Sequence, residues 1–321
     1  MAMPSYAPAA ASQPAAAAET RPLALPQGVN ASKIRWAYAS SIVVMHMLAG
    51  LAFLPSLFSW TGVILCVLGL YVFGTLGINL CYHRLLTHRS FTTSRWVERT
   101  LAIIGVCCLQ EGPGRWVAIH RRHHQHSDEQ PDPHSPLVTF IWGHVGWLVV
   151  ENTETDSFCL LQRYSADLMR QRFYMTLERR LNWLWVYVAH AMLFAAGGLA
   201  AGLAMGLSAA DAGLFSASVV VWGVVVRTVL VWHITWSVNS LSHLFGYQSH
   251  DTGENSRNNW LVALISNGEG WHNNHHADQR SAAHGHRWWE LDVTYWTIVV
   301  MSWFGLAGDV KRPDRRHAHG K

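Results

Sequence analysis

Two long stretches of the chain carry almost no charged side chains, and each is long enough to cross a membrane twice. The first covers residues 36–82, 47 positions without Asp, Glu, Lys or Arg. The second covers residues 181–234, where only Asp211 and Arg227 are charged. A membrane-spanning helix needs about 20 predominantly apolar residues. The pattern therefore predicts four transmembrane helices in two hairpins, over residues 36–56, 60–81, 182–205 and 213–234.

The distribution of arginine indicates which side of the membrane the loops occupy. The segment between the two hairpins, residues 83–180, contains 12 arginines, whereas both hairpin turns lack Lys and Arg. Loops rich in Lys and Arg near helix ends stay on the cytoplasmic side. We therefore expect an integral membrane protein with both termini and the central segment in the cytoplasm, in the inner membrane if the source is bacterial.

The composition agrees with a membrane protein and excludes other classes. Half of the residues are hydrophobic and 14% are charged, against about a quarter charged in soluble domains. The net charge of +4 is small, and the chain has no basic patch interleaved with aromatic residues, which argues against a nucleic acid partner. We expect residues 1–32, rich in Ala and Pro, to form a disordered tail, residues 33–310 a membrane domain, and residues 311–321 a basic tail.

Eight of the 20 histidines occupy three short clusters, and a ninth, His243, follows the fourth predicted helix. The clusters are His83 and His88; His120, His123 and His124; and His272, His275 and His276. The last two share the offsets 0, +3 and +4, which place three side chains on one face of a helix. The spacing of five in the first corresponds to about 140° of helical rotation. Either the helix ends there or the two rings bind different metals.

Nine clustered imidazoles predict a metal centre, because neutral imidazole is the commonest nitrogen ligand for a transition metal. Nine ligands exceed what one ion holds, and they suit two. Zinc takes about four ligands in a tetrahedron, whereas two six-coordinate irons match the count, with Asn239 and water completing them and positions left for dioxygen. Nearby carboxylates could orient the ligands: Glu111, Asp128, Glu254, Glu269 or Asp278.

The remaining histidines are predicted to have structural or surface roles. His46, His190 and His233 lie in apolar stretches and are expected to be packed or hydrogen-bonded there. Others are expected to be solvated, or at most to contact a metal ligand: His126, His134, His144, His250, His284 and His286. The last two, His317 and His319, belong to the basic tail.

The histidine clusters resemble the boxes of membrane fatty-acid desaturases that introduce a double bond at the ninth carbon. The resemblance rests on HRLLTHRSF, HRRHH and WHNNHH in this order, with TWSVNSLSHLFG before the third, and covers about residues 33–310. It implies nine ligands to two irons, at the positions of His83, His88, His120, His123, His124, His243, His272, His275 and His276. It implies that Asn239 holds a water on one iron. The bend of an acyl tunnel is implied at the positions of Gln110, Trp116, Thr235 and Trp236.

The resemblance implies an all-α integral membrane enzyme, in which a cytoplasmic helical cap holds the irons above four transmembrane helices. The implied reaction is oxygen-dependent desaturation of a saturated fatty acyl chain, carried by a membrane lipid or by CoA, with dioxygen as co-substrate. The chain has no haem or flavin motif, so we expect a separate electron donor, a ferredoxin or a b-type cytochrome with its reductase. A membrane di-iron hydroxylase or ketolase and a non-enzymatic membrane metal-binding protein stay open as alternatives.

The chain departs from the animal acyl-CoA enzymes of this family at two places that contact the CoA thioester end there. It has Ala118-Ile119 where those enzymes have Arg-Asp, and Ala37-Tyr38 where they have Arg-Asn. The loss of these side chains favours an acyl chain esterified in membrane lipid over acyl-CoA. Arg227 matches a family arginine, and a charge inside a span is costly enough to indicate a function or a side chain that reaches to the surface.

Overall fold

The computed structural model describes residues 22–314, and four of their helical segments are long and apolar enough to cross a membrane. These segments are Trp36–Phe53, Trp60–Thr87, Arg172–Ala204 and Ala209–Leu241. The prediction of four such helices in two hairpins is therefore confirmed. The second and fourth helices continue past their predicted ends at residues 81 and 234, because packing against the rest of the chain keeps them helical beyond the apolar stretch.

The first hairpin is preceded by a short strand. Its elements are β1 (Val29–Ile34), α1 (Trp36–Gly50), 3-10 turns at Leu51–Phe53 and Pro55–Leu57, and α2 (Trp60–Gly69), which continues in wide π-type turns over Leu70–Thr87. Ser59 immediately precedes α2 and caps it, because its hydroxyl accepts the Gly62 N–H at 3.0 Å. This bond satisfies one of the amide groups that a helix start leaves free.

The central segment, between the hairpins, consists of short elements. They are α3 (Arg95–Val106), α4 (Pro113–Gln125), a wide turn at Trp142–Gly146, α5 (Trp147–Val149), β2 (Val150–Asn152), α6 (Phe158–Tyr164), α7 (Ala166–Met169), α8 (Arg172–Glu178) and a 3-10 turn at Arg179–Leu181. The strands β1 and β2 pair antiparallel, with Val29 opposite Asn152. The end of the predicted tail, residues 1–32, thus belongs to a strand, while residues 1–21 lie outside the described part.

The second hairpin and the C-terminal elements complete the described chain. They are α9 (Asn182–Ala204), α10 (Ala209–Val220), wide turns over Val221–Val226, α11 (Arg227–Leu241), α12 (Trp260–Ile265), α13 (His272–Ala277) and α14 (Val293–Trp303). The predicted basic tail begins at residue 311, and residues 315–321 are outside the described part. The described chain is therefore mainly helical, as predicted, with one two-stranded sheet.

Arg227 is fully buried in the fourth span and does not reach the surface. Its Nη1 donates to the carbonyl oxygen of Cys107 at 2.7 Å, and its Nε donates to that of Gly223 at 3.2 Å. The guanidinium also lies 4.2 Å above the centre of the Phe73 ring. These contacts tie the fourth span to the C-terminal end of α3 and to the second span, so the interior charge has a structural role.

The largest buried apolar cluster joins the second span to α3. The two helices touch at Gly77 of the span and Gly105 of α3. A Cβ added at Gly105 would lie 2.9 Å from the carbonyl oxygen of Gly77 and 2.5 Å from a ring carbon of Tyr82. Side chains at these positions would force the two helices apart. The close approach holds the end of the second span, where the first histidine cluster lies, against the central segment.

Changing Gly105 to Ala should destabilise the protein by about 1–3 kcal/mol, because the methyl group overpacks the contact with Tyr82. Gly197→Ala is the matched control, since nothing lies within 4 Å of a Cβ there and the helix gains from losing a glycine. Melting temperatures of the two variants in one detergent should move in opposite directions. Equal shifts would show that the glycine contact is not needed.

Candidate metal centre

The end of the second span explains the five-residue spacing of the first histidine cluster. The wide turns of this segment carry hydrogen bonds from residue i+5 back to residue i. The amide of His88 accordingly donates to the carbonyl oxygen of His83 at 3.1 Å, and the two rings meet edge to face, 4.8 Å apart. The helix ends at Thr87. Of the two alternatives left by the sequence, the helix end is the one found, and both rings turn to the same side.

The nine histidines converge in two groups, within each of which the candidate ligand nitrogens lie within 4.8 Å of one another. Group one consists of His83, His88, His120, His124 and His275, and group two of His123, His243, His272 and His276. In the second and third clusters the three rings lie on one face of a helix, as predicted, but they do not all join the same group. On α4 and on α13 the residues at offsets 0 and +4 join one group and the residue at +3 joins the other.

In group one, the Nε2 atoms point at a common centre rather than pairing with each other. His275 Nε2 lies 3.1 Å from His83 Nε2 and 3.0 Å from His124 Nε2. One nitrogen has one lone pair or one proton, so it cannot satisfy two such neighbours. His88 Nε2 is buried in the same space without a hydrogen-bond partner among the described residues. A cation bound between these nitrogens would satisfy them all.

Group two repeats this spacing and indicates the coordination that it suits. His272 Nε2 lies 3.0 Å from His243 Nε2 and 3.1 Å from His276 Nε2. Two nitrogens about 2.1 Å from one metal are ~3.0 Å apart when the angle between them is a right angle, and ~3.4 Å apart in a tetrahedron. The observed spacing therefore fits octahedral positions better than the tetrahedral arrangement typical of zinc.

Burial keeps most of these rings neutral, with a lone pair free to bind a metal. Loss of hydration, together with neighbouring imidazoles, holds the pKa of His88, His120 and His124 well below 6.5. The pKa of each histidine of the third box is lowered in the same way by burial and by nearby histidines. These six histidines are therefore uncharged at neutral pH.

Buried carboxylates hold the outer nitrogens of four ligands. The Nδ1 atoms of three lie within hydrogen-bonding distance of an acid: His83 and Glu269 at 2.6 Å, His123 and Asp132 at 2.9 Å, and His243 and Asp128 at 2.9 Å. A fourth pair, His276 and Glu254, is 3.5 Å apart. Such acids fix the tautomer of a histidine, so that its Nε2 is free for a metal.

The charges of these acids are themselves stabilised. Burial alone would raise the pKa of Glu269, but the Arg84 guanidinium, which donates to Oε1 at 2.8 Å, holds that pKa well below its usual range. Burial alone would lower the pKa of His243, whereas the Asp128 carboxylate raises it to about 9. A raised pKa at His243 shows that this position favours positive charge, which a metal at Nε2 would supply.

The structure corrects several expectations about residues around the site. Asp132 was not predicted, and its only sequence signal is its place in a turn-rich segment after the second box. Of the two alternatives expected for His134 and His284, the structure shows contact with a candidate ligand and not solvation. Both are buried, beside Asp132 and Glu269 respectively, and their rings lie 4.5 Å from His123 and 4.3 Å from His275. Of the five proposed acids, Glu111 pairs instead with Arg115 at 2.8 Å, and Asp278 accepts a backbone amide at 3.0 Å.

A mostly apolar cavity of about 260 Å³ leads to the histidines. Its wall includes the four residues at the predicted tunnel bend, Asn239, and three of the histidines, His83, His120 and His272. Gln110 connects two of the others, because its amide nitrogen donates to the Thr235 hydroxyl at 3.0 Å and its oxygen accepts from Trp116 Nε1 at 3.2 Å. The Trp116 ring also stacks on His120, with centroids 5.0 Å apart.

Comparison with known proteins identifies the relatives of this chain. A family model described as fatty acid desaturase matches residues 58–300. The chain is 40% identical over 284 residues to an sn-1 stearoyl-lipid 9-desaturase of Anabaena variabilis, covering 88% of this chain and 96% of the relative. It is 41% identical over 278 residues to one of Synechocystis sp., covering 87% and 80%. An acyl-CoA C20 Delta5-desaturase of Anemone leveillei is 37% identical over 300 residues, covering 91% and 90%.

Changing Asp132 to Asn should lower the metal affinity of the centre about 10–100-fold, because His123 loses the acid that orients it. Glu129→Gln is the matched control, since Glu129 contacts the partly exposed His126 at 3.2 Å and neither residue belongs to a histidine group. Metal retained by the purified variants can be titrated with a chelator. If both variants kept metal as well as the unchanged protein, Asp132 would have no part in metal binding.

Proposed function

The chain belongs to the fatty acid desaturase family and is an oxidoreductase, and we propose that it introduces a cis double bond at the ninth carbon of a saturated acyl chain esterified in a membrane lipid. The observation that carries the proposal is the apolar cavity, which ends on histidines of both groups. An acyl chain lying in it would bring unactivated C–H bonds to the metal centre. Two relatives with about 40% identity are sn-1 stearoyl-lipid 9-desaturases, which supports this position and this form of substrate.

We propose that the centre holds two irons. Group one would supply five imidazoles to one iron, and group two would supply four to the other, completed by a water on Asn239. The right-angle spacing of the nitrogens and the cavity beside Asn239 support this assignment. When bound, such a pair supplies the power to oxidise an unactivated C–H bond with dioxygen.

The protein's own contribution is to position the acyl chain and exclude water. The hydrogen bonds from Gln110 to Thr235 and Trp116 join walls of the cavity, and Trp116 stacks on a ligand of group one. We propose that these residues, with Trp236, shape the bend of the tunnel next to the metal centre. A bend fixed at this place determines which carbon of the acyl chain lies at the metal centre, because the length of the cavity up to the bend sets how many carbons precede it.

The balance of the reaction requires an external reductant. Reduction of dioxygen to two waters takes four electrons, and removal of two hydrogens from the acyl chain supplies two of them. We propose that the other two come from a separate donor, a ferredoxin or a b-type cytochrome with its reductase. The donor would meet the membrane domain, residues 33–310, on its arginine-rich face, which we place in the cytoplasm together with both termini.

The arginines near the cavity support a lipid substrate rather than CoA. Arg115 is paired with Glu111 at 2.8 Å and with Asp156 at 3.0 Å, and Arg35 lies 3.6 Å from Asp156. Arg121 is similarly paired with Asp167 at 2.8 Å. These guanidinium groups are neutralised by acids and are not free for CoA phosphates. At the positions where the animal enzymes have their CoA-contacting pairs, Ala37, Tyr38 and Ile119 line the cavity and Ala118 is buried. None of these four side chains carries a charge.

Protein purified after growth with ample iron should contain close to two irons per chain, measured by elemental analysis. His123→Ala should reduce this to about one, because group two loses a ligand that packing cannot replace. His126→Ala is the control and should keep both irons, since His126 belongs to neither group. One zinc per chain and no iron would contradict the two-iron proposal.

Stearoyl phospholipid should be desaturated faster than stearoyl-CoA in the same bilayers with the same electron donor. Each lost charge-assisted bond to a CoA phosphate is about 1.5–3 kcal/mol, so two lost anchors weaken CoA binding at least about tenfold. Ala37→Arg, at an exposed position on the cavity wall, should raise the relative rate on the thioester. Mass spectrometry identifies the product.

Faster reaction of the thioester in the unchanged protein would overturn the lipid assignment. A hydroxylated acyl chain in place of an olefin would instead favour the hydroxylase alternative. The two results are separable because one compares substrates and the other compares products.

A further inference from the structure

Three histidines outside the metal centre form a hydrogen-bonded chain across three elements. His46 of α1 and His233 of α11 are joined through their Nε2 atoms at 3.0 Å. The other nitrogen of His233 lies 3.1 Å from Nε2 of His144, in the wide turn before α5. The sequence predicted ordinary packing for His46 and His233 and solvent contact for His144. These three histidines contact one another and belong to neither histidine group.

If all three rings are neutral, the hydrogen bonds of this seam can run in one direction only. His46 Nδ1 must donate to the carbonyl oxygen of Ile42, 2.7 Å away, because a carbonyl only accepts. His46 Nε2 then accepts from His233 Nε2–H, and His233 Nδ1 accepts from His144 Nε2–H. The two nitrogens of His233 point to different partners. This arrangement suits a seam of hydrogen bonds between elements rather than a third metal site.

The seam lies behind the wall of the cavity. The cavity is lined by Ile42 of α1, Trp236 of α11 and Trp147 of α5, from the same two spans and the same segment that the seam joins. The rings of His144 and His233 both meet the Trp236 ring edge to face, with centroids 5.6 and 5.2 Å apart. His233 is exposed on the outer side of the fourth span. The seam therefore joins the elements that form this part of the cavity wall.

Besides this seam, α1 has few buried contacts with the rest of the described chain. Of the 15 residues of α1, all within the described chain, only Met45 is buried. By contrast, α11 buries more than half of its length, including Trp232 and Trp236. Elements with few buried apolar contacts open at low free energy. Polar side chains inside a span are costly, so a histidine pair there indicates a function.

We propose that α1 and α11 flank a lateral entrance, closed by His46, His233 and His144, through which an acyl chain of a membrane lipid enters the cavity directly from the bilayer. The inference rests on the proposed acyl-lipid substrate. A lipid that keeps its headgroup at the surface cannot thread its chain in from water without exposing its methylenes, which is unfavourable. Sideways entry between two spans keeps the chain in an apolar medium throughout. Separation of His46 from His233 opens that route.

The test locks the entrance reversibly. In a Cys159→Ser background, which removes the exposed cysteine, His46→Cys and His233→Cys are joined by a short bifunctional methanethiosulfonate. Desaturation of stearoyl phospholipid in nanodiscs is then measured with the electron donor present. We expect the bridged protein to lose at least tenfold in rate, to keep its iron content, and to recover on addition of a thiol. Recovery excludes misfolding as the cause of the loss.

Two controls separate bridging from other effects of the reagent. Each single-cysteine variant, treated alike, should stay within twofold of its own untreated rate. A bridge between Tyr71→Cys and Thr297→Cys, whose hydroxyls lie 2.8 Å apart on the exposed side of the second span and α14, should leave the rate unchanged. Full activity of the bridged His46–His233 pair would overturn the entrance while leaving the desaturase proposal intact. Failure of the unchanged protein on lipid, with activity on stearoyl-CoA, would overturn the lipid substrate and the entrance together.

Discussion

The site depends on nine imidazoles, eight of them buried, whose inner nitrogens face one another. Neighbouring Nε2 atoms lie only 3.0–3.1 Å apart, and those of His88 and His123 have no hydrogen-bond partner among the described residues. Such an arrangement is unfavourable unless a cation lies between the lone pairs. The protein prepares it from the outside, where Asp128, Asp132 and Glu269 accept the Nδ1 protons and Arg84 neutralises one of these acids. The histidine groups are thus held in place by carboxylates on their outer side.

This constraint couples distant parts of the chain. Both α4 and α13 contribute to both groups, so neither group can form without both helices. The first cluster joins them only because the second span ends in wide turns that align His83 with His88. The glycine contact between Gly77 and Gly105 brings that end against the central segment. Packing inside the membrane domain therefore sets the geometry of ligands that lie beyond the apolar stretches.

The cavity lies directly against this centre. Trp116 belongs to both, since it stacks on His120 and hydrogen-bonds to Gln110 in the cavity wall. Near Tyr38 at the cavity wall, acids neutralise the arginines, which suits an uncharged chain with its headgroup elsewhere better than a thioester carrying phosphates. In the proposed entrance, α1 and its histidine seam form the part of the wall that would open to such a substrate.

The sequence by itself determined the membrane spans and the nine candidate ligands, because apolar length and clustered histidine are local properties of the chain. It also determined the family, since the boxes are contiguous. Only the tertiary structure decided which histidines share a group, because the divergence of His123 from its neighbours depends on α13, about 150 residues away. Asp132, His134 and His284 could not be assigned for the same reason: an isolated acid or histidine gains its role from the ring that folding places beside it. The pairing of His46 with His233 joins residues 187 positions apart and leaves no local trace in the sequence.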